Sequence, residues 1–528
     1  MLKTSQHQIE SLKIYIQDVH GELLRLNGKK APGPDQISPV VLRECREALA
    51  FPLTLLFQAS LQRGELPQDW LDAVVRPIHK QGDSTLCTNY RPISLTCIAV
   101  KVLETLVCRH LVKYLTQKQL LSQSQFGFRS GRSTVLQLLE YVNTITKEID
   151  KGSIIDVLYV DFQKAFDKVP HKELQQKLDN QFGIRGNILP WIKAYLSGRR
   201  QCVRIRDEHS SYIPVLSGVP QGSVLGPILF LLYVDDLDVV AVQSECSIYK
   251  FADDTKIMAM ASKATEKIEN LQSSVDNLDR WTREWRMSIN VQKTKVVRFG
   301  VKGADRGETN YILSGIQLET VNAQKDLGVL MDADLSFNLH IEQIVAQAMR
   351  LCGWTMRVFR SRQPQMLLRI FKTVIRPKLE YASVIWNPTA KGQIRRIEKV
   401  QRWFTKRLVG MAALSYSARL QELKLESLES RRRYFDLLQV HKIISAEDNR
   451  FRSHWFVLRS EAQTRSLRGH ALTLYKQPVK TSSRQRFFAN RVIENWNKLP
   501  ERIISLVSQP RAFRTALQEL IFEYSFDI

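Results

Sequence analysis

Apolar residues along this chain change spacing several times, and the changes mark out its elements. Ile9, Leu12, Ile16, Val19, Leu23 and Leu26 recur at helical spacing, so residues 5–26 read as an amphipathic helix. Lys29-Lys30-Ala31-Pro32-Gly33-Pro34-Asp35 ends it, because two prolines and a glycine cannot continue a helix. Mixed helix and turn segments follow to about residue 150. Ile154–Phe162 is a continuous β-branched and apolar run, the pattern of a buried strand, with Asp161 near its end. Residues 171–197 read as helical, and 201–216 as a strand pair turning at His209-Ser210-Ser211. Ser247–Ala252 and Thr255–Met260 flank Asp253-Asp254, a hairpin pattern with an acidic tip. Residues 265–287 return to helical spacing, and Tyr311–Leu330 reads as another hairpin. Beyond Ser336 the chain is mostly helical, with Leu339, Ile344, Ala348 and Leu351 on one face. The order predicts an α+β core followed by a helical tail.

Composition adds charge to that picture. The 528 residues are 44% hydrophobic, enough for several cores or about three domains. Lys and Arg number 77 against 53 Asp and Glu, a net +24. From Lys391 to Ile528 the count is 27 basic against 13 acidic residues. Such a surface attracts polyanions, since each phosphate neutralised releases a counterion. A basic protein without a nucleic-acid partner would give the same sum. The cysteines Cys45, Cys87, Cys97, Cys108, Cys202, Cys246 and Cys352 share no CxxC spacing and have no histidines at zinc-ligand spacing. A reducing compartment is expected, without a disulfide framework or zinc module. The longest apolar run, Ile228 to Val234, is too short to span a bilayer, and Met1 opens a polar stretch unlike a signal peptide. The expected location is cytosol or nucleus, with no membrane partner.

The candidate chemistry lies in carboxylates. Nucleotidyl transfer from a nucleoside triphosphate to a 3′-hydroxyl needs the hydroxyl activated and the triphosphate neutralised, and two magnesium ions about 4 Å apart do both. Magnesium takes oxygen ligands and needs few carboxylates. Asp161 closes one strand; Asp253 and Asp254 occupy the tip of a hairpin. If the elements pair, three like charges meet at one sheet edge, which implies a cation. Taken singly, Asp161 reads equally as a strand-ending residue and Asp253-Asp254 as turn formers. Tyr233-Val234-Asp235-Asp236 is a rival acidic pair. It ends the apolar run from Ile228, which reads as a helix without flanking strands, so Asp253-Asp254 is preferred.

Three segments occur in order: Leu158-Tyr159-Val160-Asp161-Phe162-Gln163-Lys164-Ala165-Phe166-Asp167, then Ser217-Gly218-Val219-Pro220-Gln221-Gly222-Ser223-Val224-Leu225-Gly226-Pro227, then Phe251-Ala252-Asp253-Asp254-Thr255. They resemble the palm motifs of reverse transcriptases, and of non-LTR (LINE-type, jockey-like) retrotransposon enzymes in particular. The resemblance runs from about Asn27 to Val329 and more loosely to the end. It implies a right-hand polymerase fold: an N-terminal helix (1–26), fingers (27–153), palm with an antiparallel sheet (154–335), helical thumb (336–445) and a basic, mostly helical C-terminal region (446–528).

The resemblance also assigns residues. Asp161, Asp253 and Asp254, with the backbone of Phe162, would hold two Mg²⁺ ions, with Mn²⁺ able to substitute. Phe166 would be an aromatic gate against a ribose 2′-hydroxyl, and Gln221 and Gly222 would contact the nucleotide and template; Phe166 also reads as a core residue, and the glycine as part of a turn leading into a helix. Lys80 and Arg91 match the triphosphate clamp, with Arg76 as an accessory; solvated surface charge is the alternative. Gln125–Thr134 mixes aromatic and basic residues suited to a template strand. Lys293 or Lys295 is a candidate general acid for pyrophosphate departure. Asp326-Leu327-Gly328-Val329 resembles a primer grip in which backbone shape matters. Arg395, Arg396, Lys399, Arg402, Lys406 and Arg407 recur at helical spacing beside Trp403 and Phe404, compatible with a face gripping phosphates and equally with a solvated helix face. The implied partners are an RNA template, a DNA primer or target, and dNTPs, with synthesis in the nucleus at the site of integration. No RNase H-like acidic constellation or zinc knuckle is visible. Only about 26 residues precede the fingers, so endonuclease activity is expected from another domain or protein. The competing reading is a catalytically silent retrotransposon remnant that binds RNA.

Overall fold

The computed structural model describes residues 7–80, 82–242, 246–260, 264–301, 309–446, 450–462 and 470–523. A five-stranded sheet runs in the order Glu319–Val321, Lys295–Phe299, Ile155–Val160, Asp254–Ala259, Ser247–Phe251. Its middle strand, Ile155–Val160, is buried at every residue and pairs antiparallel on both sides, Val157 opposite Met258 and Val297. That burial explains its unbroken apolar run, since both faces are covered. Ile155, Val157 and Tyr159 point to one core, packed with Leu138, Val142 and Ile145 of the helix Thr134–Asp150. Leu158 and Val160 point to the other, with Leu271, Val275 and Leu278 of the helix Ala264–Glu284. The α+β class read from the sequence is the class observed.

A second sheet joins Asp72–His79 to Tyr90–Leu95 antiparallel and to Arg200–Ile205 in parallel. Beyond Ser336 the chain is almost wholly helical. The long helix Asn338–Val358 packs along Lys391–Thr405 and buries His340, Ile341, Ile344, Ala348, Cys352, Thr355 and Met356. Of the expected stripe, Ile344 and Ala348 belong to this face, but Leu339 is exposed and Leu351 only half-buried. The true face is set one position on, where His340 lies beneath Leu330 and accepts its N–H at 3.2 Å.

The C-terminal region acts as a clasp. Asp150 accepts the N–H groups of Lys480 and Thr481 and the Thr481 hydroxyl at 2.7 to 2.9 Å. Arg484 donates to Asn143 and Thr146 at 2.9 and 3.0 Å. Arg491 then pairs with buried Asp436 at 2.8 Å and donates to Val384 O at 2.7 Å. Residues 480–491 thus tie the helix against the central sheet to the helical tail.

Three expected elements differ. The N-terminal helix spans only Ile16–Leu24; residues 5 and 6 lie outside the described residues, and 7–15 form no regular element. The reason is tertiary. Ile9 N–H donates to Gly183 O, Leu12 N–H to Asn187 and Ile14 N–H to Gln58, bonds a helix would have used internally. The strand pair in 201–216 turns at Arg206-Asp207, with Arg206 at φ +55, so His209 lies in the returning strand. Tyr311–Leu330 holds no single hairpin. Ile312–Leu313 pairs with Ile316–Gln317, Glu319–Val321 joins the edge of the central sheet, and Ala323–Asp326 pairs with Val329–Asp332.

Candidate active site

Asp253 lies in the two-residue turn between Ser247–Phe251 and Asp254–Ala259, where Phe251 faces Asp254. The turn forces Ala252 to φ +57, a left-handed conformation rare for alanine. Gln125 holds it there. Its Oε1 accepts the N–H groups of Ala252 at 2.9 Å and Gly127 at 2.8 Å. On either side, Phe126 N–H donates to Lys250 O and Lys250 N–H to Ser124 O, both at 2.9 Å. A Cβ on Gly127 would lie 2.5 Å from the Ala252 nitrogen, so only glycine permits this approach. The segment assigned to a template strand is therefore largely a support for the acidic turn. Phe126 is buried and Arg132 lies over it at 4.7 Å, and over Phe451 at 5.1 Å, leaving Phe128 exposed.

Asp161 follows the middle strand. Register places Val160 opposite Thr255, so Asp161 emerges beside Asp254. Its carbonyl accepts the Asn290 N–H at 2.7 Å, and its own N–H donates to the Thr294 hydroxyl at 3.3 Å. The carboxyl of Asp253 is raised above the usual range by burial and then by the charge of Asp161, opposed by Lys80 and Arg91. Asp254 keeps solvent access; desolvation by the surrounding protein, then Asp253 and Asp326, push it up to about 6. The three carboxylates thus share one electrostatic site. Among the described residues no three acidic, His or Cys groups are drawn close enough to form a metal cage. Mutual repulsion at one sheet end still matches a donor set that a hard cation would relieve.

Beneath the turn, Lys256 and Asp326 form a buried ion pair at 2.5 Å, and Lys256 also donates to Gln137 at 2.9 Å. Asp326 was expected to matter through its backbone; its side chain instead charges the ground under Asp254.

Lys80 and Arg91 come from the strand pair Asp72–His79 and Tyr90–Leu95. Ile78 faces Arg91, and Lys80 lies two residues beyond Ile78, so the two cations share one face of the ribbon. Arg76, opposite Ile93, lies on that face too. The same face meets the Pro220-Gln221-Gly222 turn: Ser94 N–H donates to Gln221 O at 2.7 Å, and a Cβ on Gly222 (φ +106) would lie 2.9 Å from Ser94 O and 3.4 Å from Ile93. Phe166 is half-buried and stacks on Phe230 at 4.4 Å, and its carbonyl accepts the Val219 N–H at 2.8 Å. Gln221 does not project freely, because its amide donates to Asp167 at 2.8 Å. Strands from both sheets and the turn between them therefore enclose the acidic tip.

Residues 78–329 match the family described as reverse transcriptase (RNA-dependent DNA polymerase). That stretch, just under half of the chain, is similar to a reverse transcriptase domain. It is 30% identical over 438 residues to the probable RNA-directed DNA polymerase from transposon X-element of Drosophila melanogaster, covering 80% of this chain and 47% of the relative. To the RNA-directed DNA polymerase from mobile element jockey of the same fly it is 28% identical over 446 residues, covering 81% and 48%. The chain thus spans about half the length of these relatives. A truncated apo telomerase from Candida tropicalis aligns with 55% of this chain and 59% of its own, at TM-score 0.36 and 11% identity.

The remaining expected site residues separate. Lys295 pairs with Glu319 across the sheet edge, whereas Lys293 is exposed on the loop that Asn290 anchors to Asp161. The rival pair Asp235-Asp236 follows the helix Gly226–Tyr233 and is used structurally: Asp236 binds buried Lys177 at 2.6 Å, and Asp235 accepts the Ser122 N–H at 2.8 Å. Arg395, Arg396, Lys399, Arg402 and Lys406 form an exposed face of Lys391–Thr405 and its end, with Arg396 paired to Glu342 at 2.6 Å. Arg407 stacks over Trp403 at 3.6 Å. Sequence reasoning missed the side-chain roles of Gln125, Asp326 and Thr294. Their partners lie 70 to 133 positions away, so no local spacing marks them.

Proposed function

We propose that this chain is an RNA-directed DNA polymerase that copies retrotransposon RNA into cDNA by two-metal nucleotidyl transfer. The observation that carries the reading is electrostatic: Asp253 is pushed up by burial and then by Asp161, and Lys80 and Arg91 oppose the rise, so acid tip and basic ribbon act on one space. Asp161, the backbone of Phe162, Asp253 and Asp254 are the groups that would hold Mg²⁺. Bound there, the ions would lower the pKa of a primer 3′-hydroxyl and neutralise the triphosphate. Lys80 and Arg91 bind the β- and γ-phosphates from above, where the planar Arg fork takes two oxygens at once. Phe166, braced by Phe230, presents a rigid ring to the sugar, and Gly222 lets the backbone approach it. Lys293, exposed on the loop tied to Asp161 by Asn290, donates the proton to departing pyrophosphate.

The division into fingers, palm, thumb and C-terminal region follows from this reading, with one refinement. The fingers sheet borrows Arg200–Ile205 from the palm stretch. The exposed basic face of Lys391–Thr405 grips the hybrid's phosphates. Target-primed integration in the nucleus, with nicking from another domain or protein, completes the proposal. Primer extension on a poly(rA)/oligo(dT) substrate with Mg²⁺ tests it. Incorporation of dTTP supports the polymerase reading; RNA binding without extension in either Mg²⁺ or Mn²⁺, on several templates, favours a silent RNA-binding remnant.

A further inference from the structure

Glu104 lies on the helix Ile98–Gln117 and is fully buried. One carboxylate oxygen accepts the N–H groups of Val224 at 2.7 Å and Leu225 at 3.0 Å. The buried Tyr195 hydroxyl and Arg199 act on the same carboxyl. Burial raises the Glu104 carboxyl, with Arg199 and Lys101 acting against it. Burying an acid completely is costly, so the bonds it makes need a reason. Those bonds go to the two residues that follow Gly222 and Ser223 and lead into the helix Gly226–Tyr233. That helix carries Phe230, the ring behind Phe166. The turn is pinned at its other end by Ser94 N–H on Gln221 O. The Ser94 pin comes from the strand Tyr90–Leu95, which also supplies Arg91, and the Glu104 pin from the helix that follows it.

We infer that Glu104 is a positioning residue for nucleotide selection: through Val224 and Leu225 it sets the height of the Gln221-Gly222 turn and the bracing of Phe166. Asp at this position retains the charge but is one methylene too short to reach both N–H groups. Gln retains an acceptor oxygen at the same reach, able to take both N–H groups.

The inference rests on the polymerase reading, so the test has two arms. Amide hydrogen exchange on the full chain reads the anchor without catalysis. Exchange across 220–226 should quicken in Glu104→Asp and stay as in wild type in Glu104→Gln. Steady-state extension reads the consequence. Glu104→Asp should raise the dTTP KM about tenfold and weaken rejection of UTP, with kcat and template–primer affinity less affected, while Glu104→Gln stays within about twofold of wild type. Unchanged exchange in Glu104→Asp would overturn the anchor. Altered exchange with unchanged dTTP KM and UTP rejection would overturn its role in selection. A wild type that shows the exchange pattern but never extends a primer overturns selection and polymerase reading together, and leaves the anchor standing.

Discussion

Gln125 and Ala252 are 127 positions apart, yet one side chain holds the other's backbone: Gln125 Oε1 accepts the Ala252 N–H at 2.9 Å and its amide reaches Ala252 O at 3.4 Å. Ala252 precedes the aspartate on which the proposed chemistry depends. Replacing Gln125 with Ala should cost about 1–3 kcal/mol, because a buried N–H loses its acceptor. Gly127→Ala is the sharper test, since its methyl group must displace the Ala252 backbone. Extension should fall about a hundredfold while RNA affinity, read by filter binding, stays near wild type. Normal extension by Gly127→Ala would show that the turn tolerates displacement.

The acidic tip predicts a pH dependence with a definite sign. Asp254 is raised to about 6 in the folded chain, above about 4 when unfolded. The contribution is therefore stabilising below the unfolded value and is lost as pH rises through the folded one. Without divalent metal, thermal stability should decline between pH 4 and 7 by more in wild type than in Asp254→Asn. Added Mg²⁺ should recover part of the loss at pH 7. Equal declines in both proteins would remove Asp254 as the source.

Phe166 stacks on Phe230 at 4.4 Å with planes 18° apart, which fixes the ring rather than leaving it to swing. Phe166→Val should accept UTP at least about tenfold better relative to dTTP. Phe230→Leu should show a smaller shift in the same direction, because it loosens the brace and leaves the gate in place. Unchanged discrimination in Phe166→Val would return this residue to the core.

Lys293 and Lys295 differ in their surroundings, and the difference decides between them. Lys295 is committed to Glu319. Lys293→Ala should lower kcat about a hundredfold with little change in dTTP KM, the mark of a group acting in the transition state. Lys295→Ala should stay within about threefold of wild type, in keeping with an exposed ion pair. The reverse ranking would move the general acid to Lys295.

What was legible in the sequence depended on how far each signal reached. The middle strand and the acidic hairpin were readable because an apolar run or an alternation is a local pattern. The α+β class followed from their order. Residues 7–15 misled, since their helical spacing of Ile and Leu serves tertiary docking, with backbone bonds to Gly183, Asn187 and Gln58. The 206–207 turn was hidden because Arg206 adopts φ +55 without glycine or asparagine to announce it. Gln125, Glu104 and the Lys256–Asp326 pair were invisible because their meaning lies in partners more than about fifty residues distant. The basic tail was read as a phosphate-binding surface, but several of its arginines are structural. Arg484 and Arg491 spend their hydrogen bonds clasping the chain.

The central claim is that Asp253 serves RNA-templated DNA synthesis. The direct measurement is extension of oligo(dT) on poly(rA) with Mg²⁺ by wild type and Asp253→Ala, each also assayed for RNA binding. Extension by wild type alone, lost by about a thousandfold or more in the variant with RNA affinity unchanged, is the predicted result. Full extension by Asp253→Ala would contradict the account and send the search for the metal-binding carboxylates elsewhere.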